Sequence, residues 1–395
     1  AGDVDDELLV RSEKNSKHRA VPIKWGTLAA CLAFAVLAVM IINTKYQSSK
    51  LPTLTITQEN KSYGYEGYWA YDILEIVNSN PWTEDMNITV LPVYENTISY
   101  DGNYQDPRAN IDEMKDFLTE IAGRMGFDTQ KLVITDEKPE KEQKKKIVEK
   151  PGGNVPEDFF SVTGVFAERG NIKLEVNGDM TAIINFEPPV TLPDKYTFSN
   201  TPEICPTHNN MRALAEYLQK EYKDLIAMQN AEINIFGGYY TTEKQQIFNI
   251  SFFEAAADNV SQIINYNFNN VTFACDEDGK LFLAKVYRHD LSHKVGDYPI
   301  ITADKAKELL KNGNYITSVP NEYLTLPIAS YVSKVELIYK SGISNQYFMP
   351  FYHFLVELPK NESEDGMKEY GSFYVPAVDE RYISNMPLEK LNLLQ

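Results

Sequence analysis

Two histidines four residues apart are the side chains in this sequence whose spacing most suggests chemistry. His289 and His293 occur in the segment HDLSH. On a helix this spacing would place both imidazoles on one face, where they could bind a metal ion. Gly296 and Pro299 follow closely, and no third ligand stands at a conventional spacing. We therefore predict no metal site here.

An acidic tetrapeptide at residues 276–279, DEDG, has the composition of a calcium loop. It lacks the acids at alternate positions and the distal glutamate that such a loop needs, so a hairpin turn is the better interpretation. The sequence contains no glycine-rich phosphate loop, no Gly-x-Ser-x-Gly elbow and no His-Glu-x-x-His motif. A Ser/His/Asp site assembled from distant segments stays open, but nothing favours it. We predict no catalytic residue, no cofactor-binding residue and no cofactor.

The chain has three cysteines. Cys31 lies inside an apolar stretch and follows Leu28-Ala29-Ala30, so the residue types match those of a lipobox. In a lipoprotein the apolar stretch precedes the cysteine, whereas here most of it follows Cys31. We interpret Cys31 as a small residue of a membrane helix. Cys205 and Cys275 could pair if they lie outside the cell, and a disulfide between them is a hypothesis.

The apolar stretch from Trp25 to Ile42, WGTLAACLAFAVLAVMII, contains no charged residue. As a helix it would be about 27 Å long, close to the ~30 Å hydrocarbon core of a bilayer. The sequence therefore predicts a transmembrane helix over residues 25–43. A cleaved signal peptide is the alternative, but the sequence Met40-Ile41-Ile42-Asn43-Thr44 fits a cleavage site poorly.

Basic residues are denser before this stretch than after it. Five lysines and arginines stand in residues 1–24, and lysines are sparser in the segment that follows. The positive-inside rule then makes residues 1–24 a cytoplasmic tail and places the rest outside the cell membrane. The formal net charge is −18, and residues 1–24 hold equal numbers of acids and bases. The acidic excess therefore falls on the extracellular part and argues against nucleic acid as a partner.

The remaining sequence predicts helices that are each followed by antiparallel strands. The spacing predicts helices at residues 106–126, 208–228 and 302–313, and alternation predicts strands between them, including one over residues 263–275. Asn177-Gly178 is a strong hairpin signal. Such a pattern favours an α+β fold, with helix-plus-antiparallel-sheet units in an ectodomain. We divide this ectodomain into an N-terminal region, residues 51–200, and a C-terminal region, residues 201–395.

Both ends of the chain resemble known kinds of protein. DVDDELL, a basic stretch and KWGTLAACLAFAVLAV resemble the N-terminus of uncharacterised single-pass proteins of Gram-positive gut bacteria, a layout shared by some anti-sigma-factor-like proteins. YPIITADKAKELLKNGNY, KVELIYK, QYFMPFYHFLVELP and GSFYVPAV resemble a PepSY-like unit over residues 296–378. Their order is similar to that in accessory regulators of the cell-wall-sensing two-component kinase. This resemblance implies a non-enzymatic module that senses or inhibits at the envelope.

Three functions follow as hypotheses. The first is a membrane-anchored, non-catalytic ectodomain that senses or regulates through contacts with a protein partner, with any small-molecule ligand unknown. The second is a cell-surface adhesion or glycan-binding module, which is motivated by the aromatic stretch from Tyr63 to Tyr71. In that stretch, packing in a half-buried sheet competes with stacking on sugars. The third is a hydrolase with a dispersed active site.

Overall fold

Segments that alternate apolar and polar residues form most of the ordered elements in the computed structural model. The structure describes residues 51–57, 65–98, 110–137, 164–199, 206–342 and 345–388. The chain divides into two compact units, Ala1–Pro52 and Thr53–Gln395, and every element below belongs to the second unit. The predicted tail and transmembrane helix, residues 1–24 and 25–43, lie outside the described residues. Among the described residues, no helix is long and apolar enough to cross a membrane.

Fourteen strands are found in the described ranges. They are β1 (Gly67–Ala70), β2 (Val90–Glu95), β3 (Thr135–Glu137), β4 (Gly164–Arg169), β5 (Ile172–Asn177), β6 (Thr181–Val190), β7 (Ala231–Tyr240), β8 (Gln246–Glu254), β9 (Asn270–Cys275), β10 (Leu281–Tyr287), β11 (Lys294–Pro299), β12 (Val332–Lys340), β13 (Tyr347–Glu357) and β14 (Lys368–Pro376).

These strands belong to one sheet, in which every strand pairing is antiparallel. The order is β11-β2-β13-β14-β1-β7-β8-β9-β10-β6-β5-β4-β3, and β12 pairs with β13 beside this path. The short strand β1 connects the two halves. It forms a four-residue ladder with β14 and a single pair, Trp69 with Tyr240, with β7. The predicted Asn177-Gly178 turn does connect β5 to β6.

The predicted α+β class is wrong. The strands do not form separate units that each follow a helix, because they combine into one 14-stranded antiparallel sheet with few helices in the described part of the chain. Each predicted helix-and-strands segment leaves strand edges unpaired, and pairing these edges with one another satisfies more backbone groups than isolated units would. The fold is therefore sheet-rich.

The helices in the described residues are α1 (Ile111–Arg124), α2 (His208–Glu221), α3 (Lys223–Ile226), α4 (Asn259–Phe268) and α5 (Ala303–Lys311). Helix α5 begins after Thr302, whose hydroxyl accepts a hydrogen bond from the amide of Lys305, as the sequence predicts. Helix α4 corrects the predicted strand over residues 263–275. Asp258 caps it by accepting from the Ser261 amide, and only residues 270–275 are extended.

Two cores lie against different parts of the sheet. The first packs α1 and α2 against one face of strands β4–β10, through buried residues such as Phe117, Leu214 and Phe252. The second packs α5 and α4 against the β12–β13–β14 part, through Leu310, Phe268 and others. In β13 and β14 nearly every residue is buried on both faces, so this part of the sheet has no solvated face.

Candidate functional site

The face of strands β7–β9 that points away from α1 and α2 carries a row of neutral polar side chains, and Lys285 on β10 is directly opposite the last of them. Asn234, Ser251 and Thr272 are directly opposite one another on β7, β8 and β9. Their neighbours along each strand, such as Ile235 and Phe252, point the other way into the first core. Because successive side chains alternate between faces, the same strands build an apolar core on one side and a row of amides and hydroxyls on the other.

This polar row is the floor of a cavity of about 520 Å³. Helix α4 contributes Tyr266 and Asn267 to the wall, and the segment between β1 and β2 contributes Asn78. Aromatic rings complete the lining: Phe236, Tyr287, His289 and Phe348. The volume is in the range of cavities that hold a small molecule. We call this space the polar cavity.

Several groups in the polar cavity have hydrogen-bonding capacity that the protein does not use. Thr181 is 8% exposed, and its hydroxyl has no partner among the described residues. The hydroxyl of Ser251, which is 3% exposed, accepts from the amide of Asn234, and its own proton is uncommitted in the described part of the chain. Buried polar groups are normally paired. The cavity therefore suits a ligand that both donates and accepts hydrogen bonds.

A second cavity of about 420 Å³ adjoins the first. The two share Asn96, Ile98, Asp179, His289 and Phe348. The second one also has acidic side chains and one arginine in its lining, namely Glu113, Asp116, Asp290 and Arg288. We call it the acidic lobe. The two cavities therefore adjoin along these five residues, and the acidic lobe has more carboxylates in its lining than the polar cavity does.

His289 stands where the two cavities meet. Its Nδ1 lies 3.2 Å from the carbonyl oxygen of Phe268, so this nitrogen carries the proton and donates. Burial lowers the pKa of His289, which favours the neutral ring at pH 7. The ring makes edge contacts with Phe268 and Phe348. His289 thus serves as part of an aromatic wall.

A serine, a histidine and a glutamate meet in another place, on three adjacent strands. His353 Nε2 lies 2.9 Å from Ser372 Oγ, and His353 Nδ1 lies 3.7 Å from a carboxylate oxygen of Glu336. The sequence left a Ser/His/Asp site assembled from distant segments open, and no motif in it indicated that these three residues meet. The cross-strand register explains the meeting, because Glu336 is directly opposite His353, which is diagonal to Ser372.

The surroundings of this trio favour a structural role. Ser372 is 1% exposed, and its own amide donates to the carbonyl of Glu66, so this amide is not free to stabilise an oxyanion. The ring of His353 stacks on Tyr374 at 4.7 Å. A substrate carbonyl could reach Ser372 Oγ only if the central strand β14 opened. The contacts among Glu336, His353 and Ser372 therefore hold β12, β13 and β14 together.

Glu336 connects the trio to the polar cavity. It accepts from Lys334 Nζ and from Asn78 Nδ2, both at 2.7 Å, and Asn78 lines the cavity. Burial alone would raise the pKa of Glu336, but the neighbouring His353 and Lys334 lower it to about 2. The cavity wall at Asn78 is thus fixed by a buried ionised group.

No protein-family model matches this sequence, and no curated protein matches it. Among solved structures, the chain is similar to an uncharacterised protein from Eubacterium rectale, with a TM-score of 0.32 and 11% identity over 74% of this chain and 84% of that chain. That similarity is too low to carry an argument about fold or function.

His293 and the acidic residues 276–279, which the sequence also suggested as possible ligands of a metal ion, lie outside both cavities. His293 lies beside Asp290 at 3.2 Å in a segment that is not helical. In the described ranges, no group of three histidine, cysteine or acidic side chains could hold a metal ion. The residues 276–279 form the predicted hairpin turn, in which Asp276 accepts from the Lys280 amide. No calcium-loop geometry is needed to explain this turn.

Cys275 lies at the end of β9 and bonds to no cysteine among the described residues. Burial, with a smaller effect of Asp276, raises its pKa to about 12. Its hypothetical partner, Cys205, lies outside the described residues, so the disulfide stays a prediction. Pro206, the next residue after Cys205, lines the same small cavity as Cys275.

The aromatic stretch around β1 packs mainly inside the protein. Tyr65 donates to Glu369 at 2.7 Å and Tyr68 donates to Glu66 at 2.6 Å. Tyr71 is 43% exposed, and Tyr63 lies outside the described residues. Packing in a half-buried sheet is therefore confirmed for Tyr65 and Tyr68, and this stretch does not line the polar cavity.

Sequence reasoning missed the polar cavity. The signal was present in the segments Asn234-Ile235-Phe236, Asn249-Ile250-Ser251 and Val271-Thr272-Phe273, where small neutral polar residues alternate with apolar ones. Such alternation is typical of a strand with one solvated face. The missing information was that α4 and the segment carrying Asn78 cover this face.

Proposed function

We propose that the chain is a membrane-anchored, non-catalytic binding module of the cell envelope, and that its polar cavity recognises a hydroxyl-rich carbohydrate. One observation carries this proposal: the floor of the cavity is a row of neutral amides and hydroxyls directly opposite one another on three strands. Anchoring and extracellular location come from the sequence, and the ligand class comes from the lining of the cavity.

The chemistry of the lining supports a sugar over an ion or an apolar ligand. Amide and hydroxyl side chains both donate and accept, as sugar hydroxyls do. Removing neutral polar groups from water costs less free energy than removing charges, provided that hydrogen bonds replace the water. The rings of Tyr287, Phe236 and Phe348 offer apolar faces against which a pyranose ring can pack. The three side chains of the floor carry no charge, and Asp179 is the one carboxylate among the described residues that line this cavity.

The proposal is tested by measuring the binding of an oligosaccharide panel to the full chain by calorimetry, in a detergent without a sugar headgroup. Thr272→Val removes a hydroxyl that donates one long hydrogen bond, 3.4 Å, to Asn270 Oδ1, so the fold should tolerate it. We expect about a tenfold loss of affinity, which corresponds to one neutral hydrogen bond.

Thr119→Val provides the matched control. Thr119 lies on α1, outside the cavity lining, and its hydroxyl donates to the carbonyl of Lys115. This variant should bind as the wild type does. If no oligosaccharide binds the wild type, or if Thr272→Val and Thr119→Val have equal effects, carbohydrate recognition in the polar cavity is wrong.

A further inference from the structure

Asn234 begins the row of three side chains on the cavity floor, and neighbours hold both polar atoms of its side chain. The backbone amide of Ser79 donates to its Oδ1 at 2.8 Å, and its Nδ2 donates to Ser251 Oγ at 3.1 Å. Asn234 is 7% exposed. A backbone N–H can only donate, so the atom that faces Ser79 is the oxygen, and the side-chain amide has one orientation.

This orientation fixes the direction of the next hydrogen bond. Because Nδ2 of Asn234 is a donor with no lone pair to offer, Ser251 Oγ must accept from it. The hydroxyl of Ser251 keeps its own proton for another partner, and no acceptor for this proton is found among the described residues. Ser251 lines the polar cavity. The series of donors that starts at the Ser79 amide therefore ends in a proton that is offered to the cavity.

The amide that starts this series is itself held in place. Ser79 lies in the segment between β1 and β2, and the residues on either side of it are bonded to strand β12. Asn78 Nδ2 donates to Glu336 at 2.7 Å, and Asn80 Nδ2 donates to the carbonyl of Leu337 at 3.1 Å. The orientation of Asn234 is thus set by a rigid strand and does not need a ligand to form.

We infer that Asn234 is a positioning residue, which orients the Ser251 hydroxyl as a hydrogen-bond donor, and that the bound carbohydrate accepts from it with a hydroxyl, ring or carbonyl oxygen. This inference rests on the proposed function and adds the direction of one hydrogen bond between the floor and the sugar. A group that only donates, such as an ammonium, would face the proton of Ser251 and find no acceptor there.

Asn234→Asp tests this direction with almost no change of shape. A carboxylate still accepts from the Ser79 amide, but its second oxygen cannot donate and instead accepts the proton of Ser251. The Ser251 hydroxyl then turns its lone pairs towards the cavity. A sugar oxygen that accepted from Ser251 loses its partner, or must give up a hydrogen bond elsewhere to reverse its own proton.

The full chain is titrated by calorimetry with tetramers of glucose, galactose, mannose and N-acetylglucosamine, and the tetramer that binds the wild type most tightly is the probe. Asn234→Asp and Ser251→Ala should each weaken its binding about tenfold, which corresponds to one neutral hydrogen bond. The double variant should bind about as weakly as either single variant, because both changes remove the same bond. Independent effects would multiply to about a hundredfold loss and would overturn the inference.

Asn270→Asp is the matched control for the added charge. Asn270 lies in the lining of the same cavity, and among the described residues no hydrogen bond joins its side chain to Ser251. Its effect on binding should multiply with that of Ser251→Ala. Coupling as strong as that between Asn234→Asp and Ser251→Ala would mean that charge explains the result, and the inference would be wrong.

Ser251 keeps the inference testable if Asn234→Asp does not fold. Ser251→Thr retains the hydroxyl and should keep the affinity that Ser251→Ala loses, whereas unchanged binding by Ser251→Ala would show that this hydroxyl donates nothing to the sugar. That result overturns the inference and leaves carbohydrate recognition intact, since a tetramer still binds. If no tetramer and no other oligosaccharide of the panel binds the wild type, the proposed function is wrong and the inference fails with it.

Discussion

Glu336 is a buried carboxylate whose partners come from three separate segments of the chain. Because its pKa in the folded protein, about 2, is below the ordinary value of 4.5, the ionised form stabilises the fold. This contribution is complete above pH 4.5 and is lost as the pH falls towards 2. We expect the free energy of unfolding, measured in urea, to fall steeply over this interval.

Glu336→Gln should flatten that part of the pH profile and lower the stability at pH 7, because Lys334 loses its counter-charge. Glu362→Gln, at an exposed position, is the control and should leave the profile unchanged. A profile for Glu336→Gln as steep as that of the wild type would contradict this account.

Chemical labelling of Ser372 tests whether Glu336, His353 and Ser372 have a structural role rather than a catalytic one. We expect a fluorophosphonate probe not to label Ser372 in the native protein, since this residue lies on β14 inside the sheet and is 1% exposed. Mass spectrometry of the treated chain measures this, with Ser372→Ala as the reference. Labelling of the wild type that disappears in Ser372→Ala would revive the hydrolase hypothesis.

Helix α5 is the element that the sequence predicted best. Thr302 caps it, and Ala306, Leu309 and Leu310 are buried, as the spacing of three and four residues between them indicates. Leu309 is 5% exposed, so Leu309→Ala should cost about 2–5 kcal/mol of stability through lost burial and a residual cavity. Thermal or urea unfolding measures it. Lys307→Ala on the exposed side of the same helix should cost far less, and equal costs would contradict this packing.

Gly238 shows how closely two elements approach each other. Its φ is +84°, and an added Cβ would overlap the carbonyl oxygen of Glu75, in the segment that leads to Asn78. Gly366 has φ +83° but nothing near an added Cβ. Gly366→Ala should therefore cost only the conformational penalty, about 1–2 kcal/mol.

Gly238→Ala should cost the same penalty plus about 1–3 kcal/mol of overpacking, and it should weaken ligand binding because it displaces Asn78 from the cavity wall. Urea unfolding and calorimetry measure the two effects. Equal stability losses in Gly238→Ala and Gly366→Ala would show that the segment adapts without cost.

Local elements could be predicted from the sequence, but the sheet and the cavity could not. Caps, hairpin turns and alternation act over a few residues, so α5 and the β5–β6 turn could be predicted. The pairing of Gly67 with Gly371 depends on residues far apart in sequence, and no local pattern specifies it. Helix α4 was misread because Ile263, Ile264 and Phe268 resemble a strand when the cap at Asp258 is overlooked.

At the scale of the whole molecule, the compact unit Thr53–Gln395 begins directly after the first unit. We expect a protein that starts at Leu51 to be soluble and monodisperse, because it contains this entire unit. Size-exclusion chromatography with light scattering measures it, and aggregation at neutral pH would contradict the expectation.

The predicted orientation in the membrane has a separate test. Protease added to intact cells without a wall should remove the extracellular part and leave a short protected fragment near the N-terminus. Protection of the whole chain would contradict the predicted orientation. The regulatory role that the C-terminal resemblance implies stays a prediction.

The place of β1 in the sheet imposes an order of events on biosynthesis. This strand is made early, yet its main partner β14 is among the last segments to be synthesised. Strands β3 to β10 can pair with near neighbours as they emerge, whereas β1 must wait with exposed edges until about 300 further residues have followed. A ribosome that stops before residue 368 therefore releases a chain whose two sheet halves cannot be joined through the β1–β14 ladder. Chaperones that cover strand edges should accordingly matter most at the end of synthesis.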